Sequence, residues 1–211
     1  MNPFALGCWP GNSNADNQPE TNIHIPGTTP QPSIFGALPF ASPPSNSGTT
    51  TAKFISFRFT SFNPTILNST FLGPNLRPYF RVRTDIPRVG FTVIRDEANQ
   101  PAIIIEWVPT DGPIVEIRDV VSKTRTAEWL MLSTDKSYRT MRALEKTFVW
   151  AKDGETLCLY APGLGTPQLH ARVTRTEDAV HLDLTTEAVQ IGLLPVCVAA
   201  TLLLQCGRRI D

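Results

Sequence analysis

Cys158, His170 and Asp183 fall on three successive β-type runs, TLCLY, LHARVTR and AVHLDL. Strand pairing sets such residues side by side, and a thiol next to an imidazole oriented by a carboxylate is the arrangement of a nucleophilic triad. A structural role accounts for the same residues: a small buried thiol in TLCLY, and two polar side chains at solvent-facing strand positions. No nucleophile signature surrounds Cys158, so the sequence predicts a protein without enzymatic activity.

Metal chemistry finds as little support. His170 and His181 flank a turn at Thr176-Glu177-Asp178, and His24 lies far away near the N-terminus. Cys8, Cys158, Cys197 and Cys206 show no short ligand spacing, so neither zinc nor another metal is expected. Gly163 and Gly165 sit in PGLGTP, whose flanking prolines oppose the helix that a phosphate-cradling loop must lead into. No cofactor is expected.

The basic residues carry the clearest chemical signal. Arg77, Arg81 and Arg83 surround PYFRVRTD, the last two on one face of a strand, while Arg139, Arg142 and Lys146 gather in SYRTMRALEK, the one stretch that reads as a helical turn. Guanidinium forks at this spacing suit bidentate binding of phosphate or another anion, such as a lipid headgroup. A solvated outer face paired with Glu and Asp is the alternative. Trp107, Trp129 and Trp150 each lie in apolar strand sequence and read as core.

The elements that must position these residues are mostly strands. From Lys53 onward, short runs of β-formers alternate with turn residues: KFISFRF, TILNSTFL, PYFRVRTD, GFTVIRD, AIIIEWV, IVEIRD, TAEWLML, TFVWA, TLCLYA, LHARVTR and AVHLDL. Gly73-Pro74-Asn75, Glu97 to Pro101, Asp111-Gly112-Pro113 and Asp153-Gly154 predict hairpins between them. About ten to twelve strands at this spacing predict an all-β sandwich or barrel.

One segment breaks the pattern. Ala188 to Cys206, AVQIGLLPVCVAATLLLQC, is uncharged and apolar on nearly every helical face, so a helix over about 186–206 must be enclosed by protein or by lipid. Thr185 or Thr186 predicts its cap, Gly207 its end, and Pro195 a kink. Enclosed by protein, the helix fills a closed antiparallel barrel. Enclosed by lipid, residues 188–206 make a tail anchor, at the short end of the length a span requires.

Residues 1–52 hold nine of the 19 prolines and no Lys or Arg, which predicts a disordered Pro/Ser/Thr/Asn-rich tail ahead of a single domain at 53–211. Within that tail, IFGALPF has the composition of a docking motif. The remaining chain carries 19 basic and 17 acidic residues, too small a surplus for nucleic acid. The N-terminus lacks a secretory pattern, so a reducing cytoplasmic or nuclear location, a chance Asn68-Ser69-Thr70 sequon and a monomer are expected.

The succession PYFRVRTD, AIIIEW, SYRTM, TFVWAKDGETLCLY and GLLPVCVAATLLLQCGRR resembles an uncharacterised domain family of basidiomycete fungi, over roughly residues 53 to 209. More distantly, strands followed by an apolar helix are similar to the tubby C-terminal, LURP-one-related and scramblase barrels. The resemblance implies a β-barrel threaded by its C-terminal helix, a non-enzymatic binding or scaffold role, and peripheral association with anionic membrane lipid or a protein partner. No position matches the family's phosphoinositide-contacting or calcium-binding residues.

Overall fold

In a computed structural model of the chain, residues 53–62, 65–85, 90–163 and 166–211 are described. The expected N-terminal tail, with His24, Cys8 and IFGALPF, lies outside them.

Alternation along KFISFRF decides the first strand, β1 (Phe54–Thr60): Phe57 and Phe59 are buried while Ser56 is exposed. Twelve more follow: β2 (Ser69–Leu72), β3 (Pro78–Thr84), β4 (Phe91–Arg95), β5 (Pro101–Val108), β6 (Gly112–Ile117), β7 (Val121–Arg125), β8 (Leu130–Leu132), β9 (Tyr138–Ala143), β10 (Lys146–Asp153), β11 (Thr156–Ala161), β12 (Gln168–Arg175) and β13 (Val180–Thr185). They form one antiparallel sheet in the order β7-β6-β5-β4-β3-β2-β1-β13-β12-β11-β10-β9-β8. All the hairpins expected from turn residues are present.

The expected closed barrel of ten to twelve strands is corrected in two respects. The ladder has 13 strands, and it is open, because β7 and β8 do not pair. Since every neighbouring pair is antiparallel, these two edge strands run in the same direction. Between them the chain makes only one helical turn, α1 (Thr126–Trp129), where TAEWLML had read as continuous strand. The turn packs against β6 and β9, and the Trp129 indole N–H donates to the Arg142 carbonyl at 3.0 Å. One continuous path therefore leaves one edge of the sheet and joins the other.

The apolar segment is two helices rather than one. Thr185 Oγ1 accepts from the Ala188 N–H at 3.1 Å and caps α2 (Thr186–Gln190). Gly192, at φ +84°, then closes a Schellman turn: its N–H donates to the Val189 carbonyl, and that of Leu193 to Ala188. The break falls here and not at Pro195, which occupies the first turn of α3 (Leu194–Gln205), where its missing N–H would have no partner in any case. Gly207, at φ +72°, ends α3 as expected.

Every residue from Val196 to Leu203 is buried. Eight consecutive positions cover all azimuths of a helix, so protein surrounds α3 on every side. It shares one core with Phe59 and Phe71 on β1 and β2, Ile103 and Ile105 on β5, Met141 on β9 and Leu182 and Leu184 on β13, and packs against β5, β6 and β13. With 12 residues, α3 is about 18 Å long against the ~30 Å of a bilayer core. No described helix is long and apolar enough to cross a membrane.

SYRTMRALEK is also corrected. It is β9 and the start of β10, joined by a two-residue turn in which Leu144 and Glu145 take φ of 52° and 60°. Two positive-φ residues in succession give the hairpin its right-handed twist, but glycine or asparagine is the usual occupant. Replacing Leu144-Glu145 with Asn-Gly therefore raises stability, by about 1–2 kcal/mol for two relieved left-handed residues, read as a higher urea midpoint.

Candidate anion-binding face

Arg81 and Arg83 project from the outer face of β3, opposite the buried Phe80 and Val82. Antiparallel register sets Arg95 of β4 directly across from Arg81, and Thr70 of β2 on its other side. The row continues to Thr60 of β1, so two hydroxyls and two guanidinium groups lie along four adjacent strands, with Arg83 one pleat away. Among the described residues, Arg81 and Arg83 form no ion pair, and Arg95 reaches only the Asn99 carbonyl, at 3.1 Å. Like charges directly opposite one another destabilise a sheet, and a bound anion offsets that repulsion.

These strands are held firmly beneath their outer face. The Trp107 indole N–H of β5 donates to Thr92 Oγ1 of β4 at 2.8 Å, Thr92 and Thr84 hydroxyls meet at 2.7 Å, and Thr84 donates to the Leu67 carbonyl at 2.8 Å. Donor and acceptor alternate along the chain, so Thr92 hands its own proton to Thr84. The sequon residue Asn68 is buried in the same place, its Oδ1 accepting from the Thr84 N–H at 2.9 Å.

The other expected basic residues do not join this face. Arg77 is exposed in the β2–β3 connection and pairs with Glu97 at 2.6 Å. Arg139 and Arg142 are three apart, which a helix would place together, but on strand β9 they face opposite ways. Arg139 lies on the Met141 side, is 14% exposed, and grips both Asp211 oxygens at 2.8 and 2.6 Å. That pairing holds the Asp211 carboxyl below its ordinary pKa. Arg142 and Lys146 are exposed near the β9–β10 turn, seven and six strand positions from β3 in the sheet order.

The final segment bears a second basic group, Arg208 and Arg209. Arg208 stacks over the Trp107 ring at 4.6 Å, Ile210 enters the core, and Arg209 Nε donates to the Asp211 carbonyl at 2.9 Å. Arg208 and Arg209, with Asp111 and Thr110, border a depression of ≈ 430 Å³. Asp211 and Asp111 already neutralise much of its charge, the latter lying 3.6 Å from Arg125. Trp129 and Trp150 are core residues as expected, whereas Trp107 is only half-buried.

The thiol triad is not assembled. Cys158 pairs in register with Arg172 on the outer face, and burial raises its pKa, which disfavours the thiolate. Beside it, burial and the thiol raise Tyr160 to about 12. His170 is the extra residue of a bulge in β12, and it turns edge-on to the core residue Phe148 at 5.7 Å. His181, by contrast, pairs with Arg58 and Thr174 on the outer face. Among the described residues, no group of three His, Cys, Asp or Glu side chains could hold a metal.

Burial lowers the His170 pKa, outweighing Glu187, which raises it, and in the same direction as Lys146; its Nδ1 has no hydrogen-bond partner among the described residues. A buried neutral histidine binds protons less readily than the unfolded chain. Its contribution is therefore complete above the unfolded value of 6.5 and is lost as pH falls below it. The urea midpoint should fall between pH 7 and 5, and His170→Leu should flatten that slope.

No family model matches the chain, and no curated protein matches it. The X-ray structure of a protein from Arabidopsis thaliana is similar to it at a TM-score of 0.38 and 13% identity, covering 71% of this chain and 93% of that one.

Proposed function

We propose that the chain is a non-enzymatic binding module: a barrel-like shell of strands around its helix that recognises anionic lipid headgroups through the outer face of β3 and β4. The observation that carries the reading is the cross-strand placement of Arg81 and Arg95, with Thr70 beside Arg81 and Arg83 on the same face, none of the three arginines paired with a carboxylate among the described residues. Such a row offers two charged forks and a hydroxyl to one phosphate group. This is peripheral attachment, with α3 kept inside the protein. The peripheral lipid association implied by the resemblance to tubby-like barrels points the same way.

Flotation of the full-length chain with vesicles tests it. Binding is expected to phosphatidylcholine vesicles only when phosphatidylserine is added, and to weaken as salt rises. Arg81→Gln/Arg83→Gln should reduce it by about tenfold or more, since each basic residue near an anionic surface contributes about 1 kcal/mol. Equal binding by the double variant would remove this face from the account.

A further inference from the structure

The outer face beside the arginines is apolar where a solvated strand would be polar. On β4, Thr92 and Ile94 point inward and are fully buried, which leaves Phe91 and Val93 pointing out beside Arg95. On β5 and β6, Ile103, Ile105 and Val115 fill the core while Ile104 and Ile114 point out. Register joins them: Val93 is the partner of Ile104, and Glu106 lies between Phe91 and Ile114. Phe91 is 45% exposed. Together these four side chains make an outward apolar patch over three adjacent strands, of the kind that marks an interaction surface.

Its borders are charged in an ordered way. Arg83 is the direct partner of Val93, so the cations of the anion-binding face lie along the β3–β4 side of the patch. Glu106, within it, is held by Lys123 at 2.7 Å. Glu116 remains exposed on β6, and Asp85 is exposed where its N–H donates to the Phe91 carbonyl. Thus Arg81, Arg83 and Arg95 make that flank attractive to anions and Glu106 is already neutralised, whereas Asp85 beside Phe91 and Glu116 across from Ile104 stay exposed at the rim.

We infer that the patch enters the interfacial layer of an anionic membrane, with Phe91 foremost and Arg81, Arg83 and Arg95 at the level of the phosphates. The inference rests on the headgroup reading and adds an apolar component to it. Both β4 and β5 are paired on both sides, so their backbone has no free edge on which a peptide strand could add. Recognition on this face uses side chains alone, and a layer of mobile headgroups above acyl chains accepts cations beside apolar groups without directional partners.

Full-length protein is compared with Phe91→Ser, Phe91→Trp and Arg81→Gln/Arg83→Gln on phosphatidylcholine vesicles with and without phosphatidylserine, at low and high salt. Phe91→Ser should weaken binding to the anionic vesicles about fivefold and remove the part that survives high salt, with an unchanged urea midpoint; Phe91→Trp should retain binding. The arginine variant should instead remove the salt-sensitive part. If Phe91→Ser binds like the parent while the arginine variant does not, the membrane-entry inference fails and headgroup recognition stands. No binding of the parent to either vesicle would overturn both.

Discussion

Replacing Trp129 with alanine is expected to cost about 3–5 kcal/mol, among the largest effects of any single substitution in this chain. The indole is buried, and it lies in the single helical turn that carries the chain from one edge of the sheet to the other. Alanine removes its packing and leaves the Arg142 carbonyl without its indole donor. Trp129→Phe keeps most of the ring volume and loses the hydrogen bond, so it should cost only about 1–2 kcal/mol. Urea denaturation separates the two. Similar small losses for both variants would mean that the turn is not a structural joint between the sheet edges.

Leu202→Ala in α3 should cost about 2–5 kcal/mol. Leu202 is fully buried, with Thr201 and Leu203 buried to either side, and the enclosing strands are tied into one hydrogen-bonded ladder that resists collapse into a void. The cavity term should therefore persist alongside the lost apolar transfer. A loss below about 1 kcal/mol, the scale of a surface change, would contradict enclosure of α3 on that side.

Much of the strand plan was legible because one physical rule wrote it. KFISFRF buries alternate residues, and the Asp153-Gly154 hairpin has Gly154 at φ +58°, a conformation glycine adopts without the strain a side chain brings. The strands that escaped detection lack these marks. In β7, VSKTR, no residue is fully buried, and β9 turns into β10 through Leu144-Glu145, residues with no turn preference. Pro195 was a visible helix breaker, yet Gly192 makes the break, because proline is harmless in a first turn.

The candidate face was legible only along a strand. Period-two alternation puts Arg81 and Arg83 on one side of β3, and that much is local. Arg95 joins them through the β3–β4 register, which is a relation between two segments and cannot be read from either alone. Arg139 failed for the converse reason: its partner, Asp211, lies 72 residues away, and only the return of the chain through the core brings them together.

The most direct measurement is backbone and arginine side-chain NMR of the full-length chain during titration with inorganic phosphate, which reports where an anion binds without a membrane. The account predicts shifts concentrated at Thr70, Arg81, Arg83 and Arg95, abolished in Arg81→Gln/Arg83→Gln. Shifts confined to Arg142 and Lys146 or to Arg208 and Arg209, or no shifts on β3 and β4, would contradict it.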